Sequence, residues 1–479
     1  MNYTLPLVTL LAVLAAGLAY GGWRALRVRA LRRGAPSSRH VSETAVDYEH
    51  AAHRVLILGA GFGGLTVARE LDRRLPATTN VSVLVVDRNN SLLFAPLLWT
   101  VAEGRAAPHD VVVPIRAFQH GRRFHVLQAE VQAIDIENRL VHTSAGIRSY
   151  DMLVLALGSR TIVPNLPGVR EHARVFGMPA HAVELRNRLI DAIEAAHNAQ
   201  DPQERREWLT FVVSGGGDTG IELAAVISTY LRSGLLREYP WLSDAPVRIV
   251  LVGRAGRLVP MSEPITSEVV ERVLEREGIE VLTGVSVQGV SDRAVETSAG
   301  EIPARTVFWA AGVSAPPVVR AIPAEHAANG SLMVDAHLRL PAHPEVYVVG
   351  DSAWAFDGMT DAAIPPTAQA AEHMAAYVAR QIADDLAGRE TPAFHFAPLG
   401  HLALLGRRTG VARVGRLMLT GLPAWLLWHA YYLSHLPSWR NRVQILLDWL
   451  LSALVGRETG ELRLEPDSDV TPAGESGVA

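Results

Sequence analysis

Two glycine-rich runs are the residues in this chain best suited to chemistry: Gly59-Ala60-Gly61-Phe62-Gly63-Gly64 and Gly215-Gly216-Gly217-Asp218-Thr219-Gly220. In a G-x-G-x-x-G turn the first glycine makes the tight turn. The second lets backbone approach a pyrophosphate, and the third lets a helix pack close to a strand. Those roles fall to Gly59, Gly61 and Gly64 in the first run and to Gly215, Gly217 and Gly220 in the second; Phe62 and Gly63 lie inside the first. One such run is weak. Two of them point to a device that holds two dinucleotides against each other, and the chemistry natural to that arrangement is hydride transfer from a nicotinamide to a flavin.

Other residues fit the same purpose. Asp87 ends the apolar run 81–86 at the spacing expected of a ribose-binding carboxylate, and Arg88 follows it. Gly350-Asp351 caps a further apolar run, where a carboxylate can accept from a sugar hydroxyl. Gly158 and Gly312 end two runs of matching pattern, 153–157 and 306–311. After the second fingerprint the run 247–252 ends in Gly253-Arg254, not an acid. An acid there repels a 2′-phosphate, and an arginine accommodates one, so both NADH and NADPH remain open. Glu222 opens the second helix, where the helix dipole alone would favour an acid.

The elements that position these residues are legible. Strands are expected over 54–58, 81–86, 150–158, 209–214, 247–252, 306–312 and 345–351, with helices over 65–75 and 221–231. The fold class is α/β: two Rossmann-like dinucleotide-binding domains, the second inserted in the first. Boundaries are set at 53–165 and 309–400 for the first domain, 166–308 for the second, and 401–456 for a C-terminal amphipathic helical region expected to dock on a membrane.

Composition removes alternatives. The 479 residues contain no cysteine, which excludes disulfide relays, thiolate metal sites and iron–sulfur clusters, and no metal site is expected. All 45 basic residues are arginine, so Schiff-base lysine chemistry is absent. A net charge of −4 gives no reason to expect a nucleic-acid partner.

Both ends point to a bilayer. Residues 1–23 carry no charge and 5–23 are long enough to span as a helix. Arg24, Arg27, Arg29, Arg32 and Arg33 follow, which keeps the remainder, through a linker over 24–52, on the cytoplasmic side of the cytoplasmic membrane. A cleaved signal peptide is the competing reading, against the usual order of charge and apolar run. At the other end, 417–455 is crowded with Trp425, Trp428, Tyr431, Tyr432, Trp439 and Trp449. Arg440, Gln444, Asp448 and Ser452 recur every fourth position, a pattern suited to a helix in a membrane interface with indoles at headgroup depth, or to a homodimer or core contact. A disordered tail is expected over 457–479.

From about residue 53 to 456 the chain resembles the type II NADH dehydrogenases, the single-subunit NADH:quinone oxidoreductases. The resemblance rests on both fingerprints, Asp87-Arg88-Asn89-Asn90, Phe94-Ala95-Pro96-Leu97-Leu98, Trp309-Ala310-Ala311-Gly312-Val313, Gly350-Asp351-Ser352-Ala353 and Pro365-Pro366-Thr367-Ala368-Gln369-Ala370-Ala371. It implies FAD in the first site, NADH or NADPH in the second, a membrane quinone as acceptor and no proton pumping. It implies that Glu222 lies near the nicotinamide side of the flavin, and that Ala368 and Gln369 lie at the flavin and quinone. The Trp-rich end resembles the family's membrane-docking region. Four positions depart from the family pattern: His373 and Ala95 where Gln is common, Asp218 for Pro, and Gly253 for Glu. The first two bear on quinone contacts, the last on nicotinamide preference. His373 and Glu372 are candidate proton donors to the quinone, His373 one helical turn beyond Gln369. A flavin reductase serving a ferredoxin- or rubredoxin-like protein, and a non-catalytic redox sensor, are the competing readings.

Overall fold

The computed structural model describes residues 48–462 except 77, 361 and 458. The expected membrane-crossing segment 1–23, most of the linker and the tail beyond 462 lie outside the described residues. Among the described residues no helix is long and apolar enough to cross a membrane.

Two parallel sheets organise the chain. The first runs Arg339–Leu340, His343–Val348, Met152–Leu155, His53–Leu58, Val81–Asp87, Phe124–Gln128, parallel except for its Arg339–Leu340 edge. Its central strand is apolar on both faces because both faces are covered: Val55, Leu56, Ile57 and Leu58 are fully buried. Helices Phe62–Arg74 and Ala368–Leu386 pack together on one face through Leu65, Ala68, Leu71, Ala375, Val378 and Ile382. An antiparallel meander, Val131–Asp135, Leu140–Thr143 and Gly146–Ser149, lies beyond the other.

The second sheet repeats this plan. Its order is Ala173–Val175, Thr306–Trp309, Thr210–Ser214, Arg248–Gly253, Ile279–Thr283, all parallel, and it has its own meander over Val287–Val290, Ala294–Thr297 and Gly300–Pro303. The chain leaves the first sheet through Arg160–Thr161 and returns through Val313–Ser314, which pair antiparallel. The second unit is thus inserted between two neighbouring strands of the first sheet.

The C-terminal region departs from the all-helical expectation. It begins with an antiparallel sheet, Gly400–Gly406, Thr409–Val414 and Leu417–Gly421, and continues in helices Leu422–His435 and Trp439–Leu454. Arg408 (φ 57°) and Gly415 (φ 58°) turn the two hairpins.

Two of the indoles take the core alternative. Trp428 and Trp449 are 1% and 4% exposed and belong to the core shared with Trp99, so they do not stand at headgroup depth. The reason is which stripe of the last helix faces the body. Asn441, Ile445 and Trp449 point inward, and Asn441 Nδ2 donates to the carbonyls of Asp110 (2.8 Å) and Val112 (3.0 Å). Trp439, Leu447, Leu451, Leu454 and Val455 are left exposed. Of the expected tail, residues 457 and 459–462 are described. The Arg457 guanidinium lies 3.7 Å from Glu103, and the Leu462 backbone exchanges two hydrogen bonds with the Asn187 amide.

Candidate active site

The first glycine turn is shaped by what a side chain would meet there. A Cβ at Gly59 (φ 98°) would lie 2.2 Å from the Ala156 carbonyl oxygen, and one at Gly64 only 1.8 Å from the Gly59 oxygen. One at Gly61 would meet nothing within 4 Å, and one at Gly63 would press on Val349 at 3.0 Å. The turn is therefore closed toward the sheet and open on the side where a diphosphate would approach the N-terminus of the Phe62–Arg74 helix.

Acids stand around this opening. Asp87, at the end of its strand, accepts from Ala60 N (2.7 Å) and Asn89 N (2.8 Å), leaving lone pairs for further donors. Arg88 is exposed. Asp351 accepts from the Ser159 hydroxyl (2.7 Å), and burial pushes its carboxyl above the usual range. Gly158 and Gly350 hold positive φ beside it, and Ser352 Oγ donates to the Gly158 carbonyl (3.0 Å). This donor and acceptor set, with the open glycine lip, fits a dinucleotide such as FAD.

The second turn is a copy. A Cβ at Gly215 (φ 135°) would sit 2.5 Å from the Ala310 oxygen and one at Gly220 1.7 Å from the Gly215 oxygen, whereas Gly217 again faces open space. Helix Asp218–Thr229 starts there. Arg254 is exposed just past the neighbouring strand, and Gly312 (φ 88°) ends the next.

Glu222, in the second turn of this helix, is enclosed by residues remote in sequence. Its Oε1 accepts from Leu404 N (3.0 Å), and the Trp99 and Trp428 indoles and Tyr432 lie beside it. Burial raises its pKa to about 8 against the opposing Leu404 N–H, with Asp218 adding to the rise. The Asp218 carboxylate meets His401 Nε2 at 2.6 Å. Neither contact has a local sequence signal: the partners are 182 and 183 residues apart.

The third component is the Ala368–Leu386 helix, capped by Thr367, whose Oγ1 accepts from Ala370 N (3.2 Å). Its first turn sits on the Gly350-Asp351 end of the first sheet, where a Cβ on Gly350 would lie 3.2 Å from Ala371 Cβ. Gln369 Oε1 accepts from Leu399 N (3.3 Å), tying the helix start to the C-terminal region. His373 meets the Phe396 ring edge-on at 5.5 Å, and burial lowers its pKa. Glu372 lies within electrostatic reach of Tyr431, His435 and Arg69. Burial raises its pKa, opposed by His435 and Arg69. His435 is exposed and stacked on Tyr431 at 4.0 Å. Sequence reasoning found Glu372 and His373 but not Tyr431, His435 or Arg69 as their surroundings.

The predicted residues thus form two groups. Gly59, Gly61, Gly64, Asp87, Gly158, Gly350 and Asp351 gather at the C-terminal edge of the first sheet, with the start of the Ala368–Leu386 helix. Gly215, Gly217, Gly220, Glu222, Arg254 and Gly312 gather at the second. Aromatic contacts link them: Phe62 to Phe94 (5.6 Å), Phe94 to Tyr432 (6.4 Å) and Tyr432 to Trp428 (4.8 Å), beside Glu222.

Comparison with known proteins agrees with this fold. Residues 53–375 match the family model described as pyridine nucleotide-disulphide oxidoreductase, and 399–458 match that of the NDH2 C-terminal domain. The chain is 31% identical over 431 residues to the type II NADH:quinone oxidoreductase NdhA of Mycobacterium tuberculosis, covering 86% of this chain and 89% of that protein. It is 28% identical to the demethylphylloquinone reductase NdbB of Synechocystis, covering 84% and 97%. Its fold matches the structure of NDH2 from Plasmodium falciparum in complex with NADH, with a TM-score of 0.74 at 20% identity, covering 85% of this chain and 99% of that one.

Proposed function

The chain belongs to the type II NADH:quinone oxidoreductases, and from that premise we propose that it oxidises NADH or NADPH and reduces a membrane quinone without pumping protons. The observation that carries the reading is the pair of matching glycine cradles, closed at Gly59 and Gly215 and open at Gly61 and Gly217. Bound at the Gly59–Gly64 cradle, FAD would supply the two-electron redox chemistry between the nicotinamide and the quinone. The test is NADH oxidation by purified protein with a soluble quinone. Turnover only with a small redox protein, and none with quinones, would replace the reading by the reductase alternative.

The chain's own residues supply binding and proton handling. Gly61 and the Phe62–Arg74 helix N-terminus would hold one diphosphate, and Asp87 and Asp351 the sugar hydroxyls. Gly217 and the Asp218–Thr229 helix N-terminus would hold the other. Arg254 stands where a 2′-phosphate would be read. Arg254→Ala is expected to lower kcat/KM for NADPH about tenfold and to leave that for NADH within about twofold, a loss typical of one charge-assisted contact. Steady-state kinetics with both reductants decide it; an equal effect on both removes Arg254 from cofactor choice.

NADH, one proton and a quinone give NAD+ and a quinol: one quinol hydrogen comes with the nicotinamide's hydride, so one proton must be supplied per turnover. Burial raises the Glu372 carboxyl above its ordinary pKa, and it neighbours the exposed His435. Glu372 would give its carboxyl proton to a quinone oxygen near Gln369 and recover one from solvent through His435. His373, set against Phe396, is the less favoured donor. Glu372→Gln is expected to lower quinone-reduction kcat about 100-fold while leaving flavin bleaching by NADH unchanged. His373→Ala is expected to change kcat little; the opposite pattern moves the role to His373.

A bilayer is the proposed docking partner, on the cytoplasmic side of the cytoplasmic membrane. What supports it is the run of exposed apolar side chains Leu447, Leu451, Leu454 and Val455 with Leu417, Leu422 and Trp439. A triple Leu447→Ser, Leu451→Ser, Leu454→Ser variant is expected to stop co-sedimenting with phospholipid vesicles and to keep activity with a soluble quinone. Unchanged co-sedimentation rules out this surface.

A further inference from the structure

We propose that Asp218 and His401 form a pair that sets how tightly the second cradle holds its dinucleotide. The inference rests on the nicotinamide-site reading above. Asp218 is the first residue of the Asp218–Thr229 helix and directly follows Gly217, the glycine with open space beside it. A helix N-terminus attracts anions through its free N–H groups and its dipole. Asp218 places an anion of the protein's own at the end where the diphosphate must sit, so the two compete for the same field.

His401 tempers that competition. Its Nε2 lies 2.6 Å from Asp218 Oδ1, and because a carboxylate only accepts, the imidazole donates. The His401 side chain is 18% exposed and that of Asp218 55%. Packing therefore fixes the imidazole, and the carboxylate is held to it. His401 belongs to the Gly400–Gly406 strand, whose Leu404 N donates to Glu222 Oε1 (3.0 Å) one helical turn further on. Two contacts thus fasten this strand to the start of the nucleotide-binding helix. Across the sheet His401 is paired in register with Arg413, whose guanidinium is engaged by Glu263.

The hydrogen bond draws Asp218 toward the C-terminal sheet and disperses its charge. Without His401, the bare carboxylate stands against the incoming diphosphate. Nicotinamide-nucleotide affinity therefore depends on how the C-terminal sheet is seated, and displacing that sheet releases Asp218 toward the cradle.

The test is calorimetric titration of the FAD-loaded protein with ADP-ribose, which carries the diphosphate and cannot reduce the flavin. Removing one charge near the site should change Kd about fivefold. Asp218→Asn is expected to bind about fivefold more tightly than wild type, and His401→Ala about fivefold more weakly. In the Asp218→Asn background, His401→Ala should have no further effect. Asp218→Ser replaces the Asn variant if that variant does not fold. An Asp218→Asn Kd within about twofold of wild type overturns the proposal. So does a His401→Ala loss that persists without the carboxylate. Equal binding by all variants discards this inference alone, whereas wild type that does not bind ADP-ribose discards the nicotinamide-site reading with it.

Discussion

Gly61→Val is expected to give a folded protein that emerges without flavin, and Gly64→Val a protein that does not fold. The two positions are three residues apart but face opposite surroundings. At Gly61 an added side chain meets open space in the protein and would fill the room a diphosphate needs. The expected loss of FAD affinity is at least about 100-fold, equivalent to about 3 kcal/mol. At Gly64 the first added carbon would lie 1.8 Å from the Gly59 carbonyl oxygen, so helix and strand must separate, at a cost above about 3 kcal/mol. Gly217→Val carries the same argument to the second cradle: flavin should remain, and NADH binding should fall by a similar factor. Flavin absorbance per protein, circular dichroism and NADH titration read all three variants. Normal flavin content in Gly61→Val would mean that the first turn does not hold FAD.

Glu222→Gln is expected to stabilise the protein at alkaline pH. In the folded state the Glu222 pKa is raised to about 8, chiefly by burial. In the unfolded chain a glutamate titrates near its ordinary value of about 4.3. Between those two values the folded state holds a proton that the unfolded state has lost, so stability falls as pH rises through this window and levels off above pH 8. Glutamine has no such charge to bury. The variant should match wild type near pH 4 and exceed it at pH 9 by on the order of 2 kcal/mol, less than the whole shift would convert to because the side chain is not fully sealed from solvent. Urea denaturation midpoints at pH 6, 7.5 and 9 measure the difference. A wild-type advantage at pH 9 would show that Glu222 is stabilised as an anion, against the geometry described.

The two nucleotide cradles were readable because their signals are local. A β-rich run, three glycines and a helix follow one another directly, over 53–74 and again over 210–229, and the structure starts helix Phe62–Arg74 and helix Asp218–Thr229 a few residues earlier than the pattern suggests. The C-terminal region was less legible. A period near four says which residues of the last helix share a stripe, but not which stripe meets the body. Composition leaves a membrane surface and a core contact both open for the indoles, and Trp428 and Trp449 are buried against the core that includes Trp99. The hairpins over 400–421 were overlooked because short strands turned at Arg408 and Gly415 carry a weaker signal than the tryptophans that follow. The surroundings of Glu222 and Glu372 were not readable. Each carboxyl takes its environment from other parts of the chain: Trp99, Leu404 and Trp428 for Glu222, Tyr431, His435 and Arg69 for Glu372.

The measurement that bears most directly on the central claim is an anaerobic absorbance titration of the purified protein, first with NADH and then with a soluble quinone. The account predicts a bound-flavin spectrum, bleached by about one equivalent of NADH and restored by about one equivalent of quinone, as the balance of a two-electron carrier requires. A protein with no flavin spectrum after incubation with FAD, or one bleached by NADH but not restored by quinone, would contradict it.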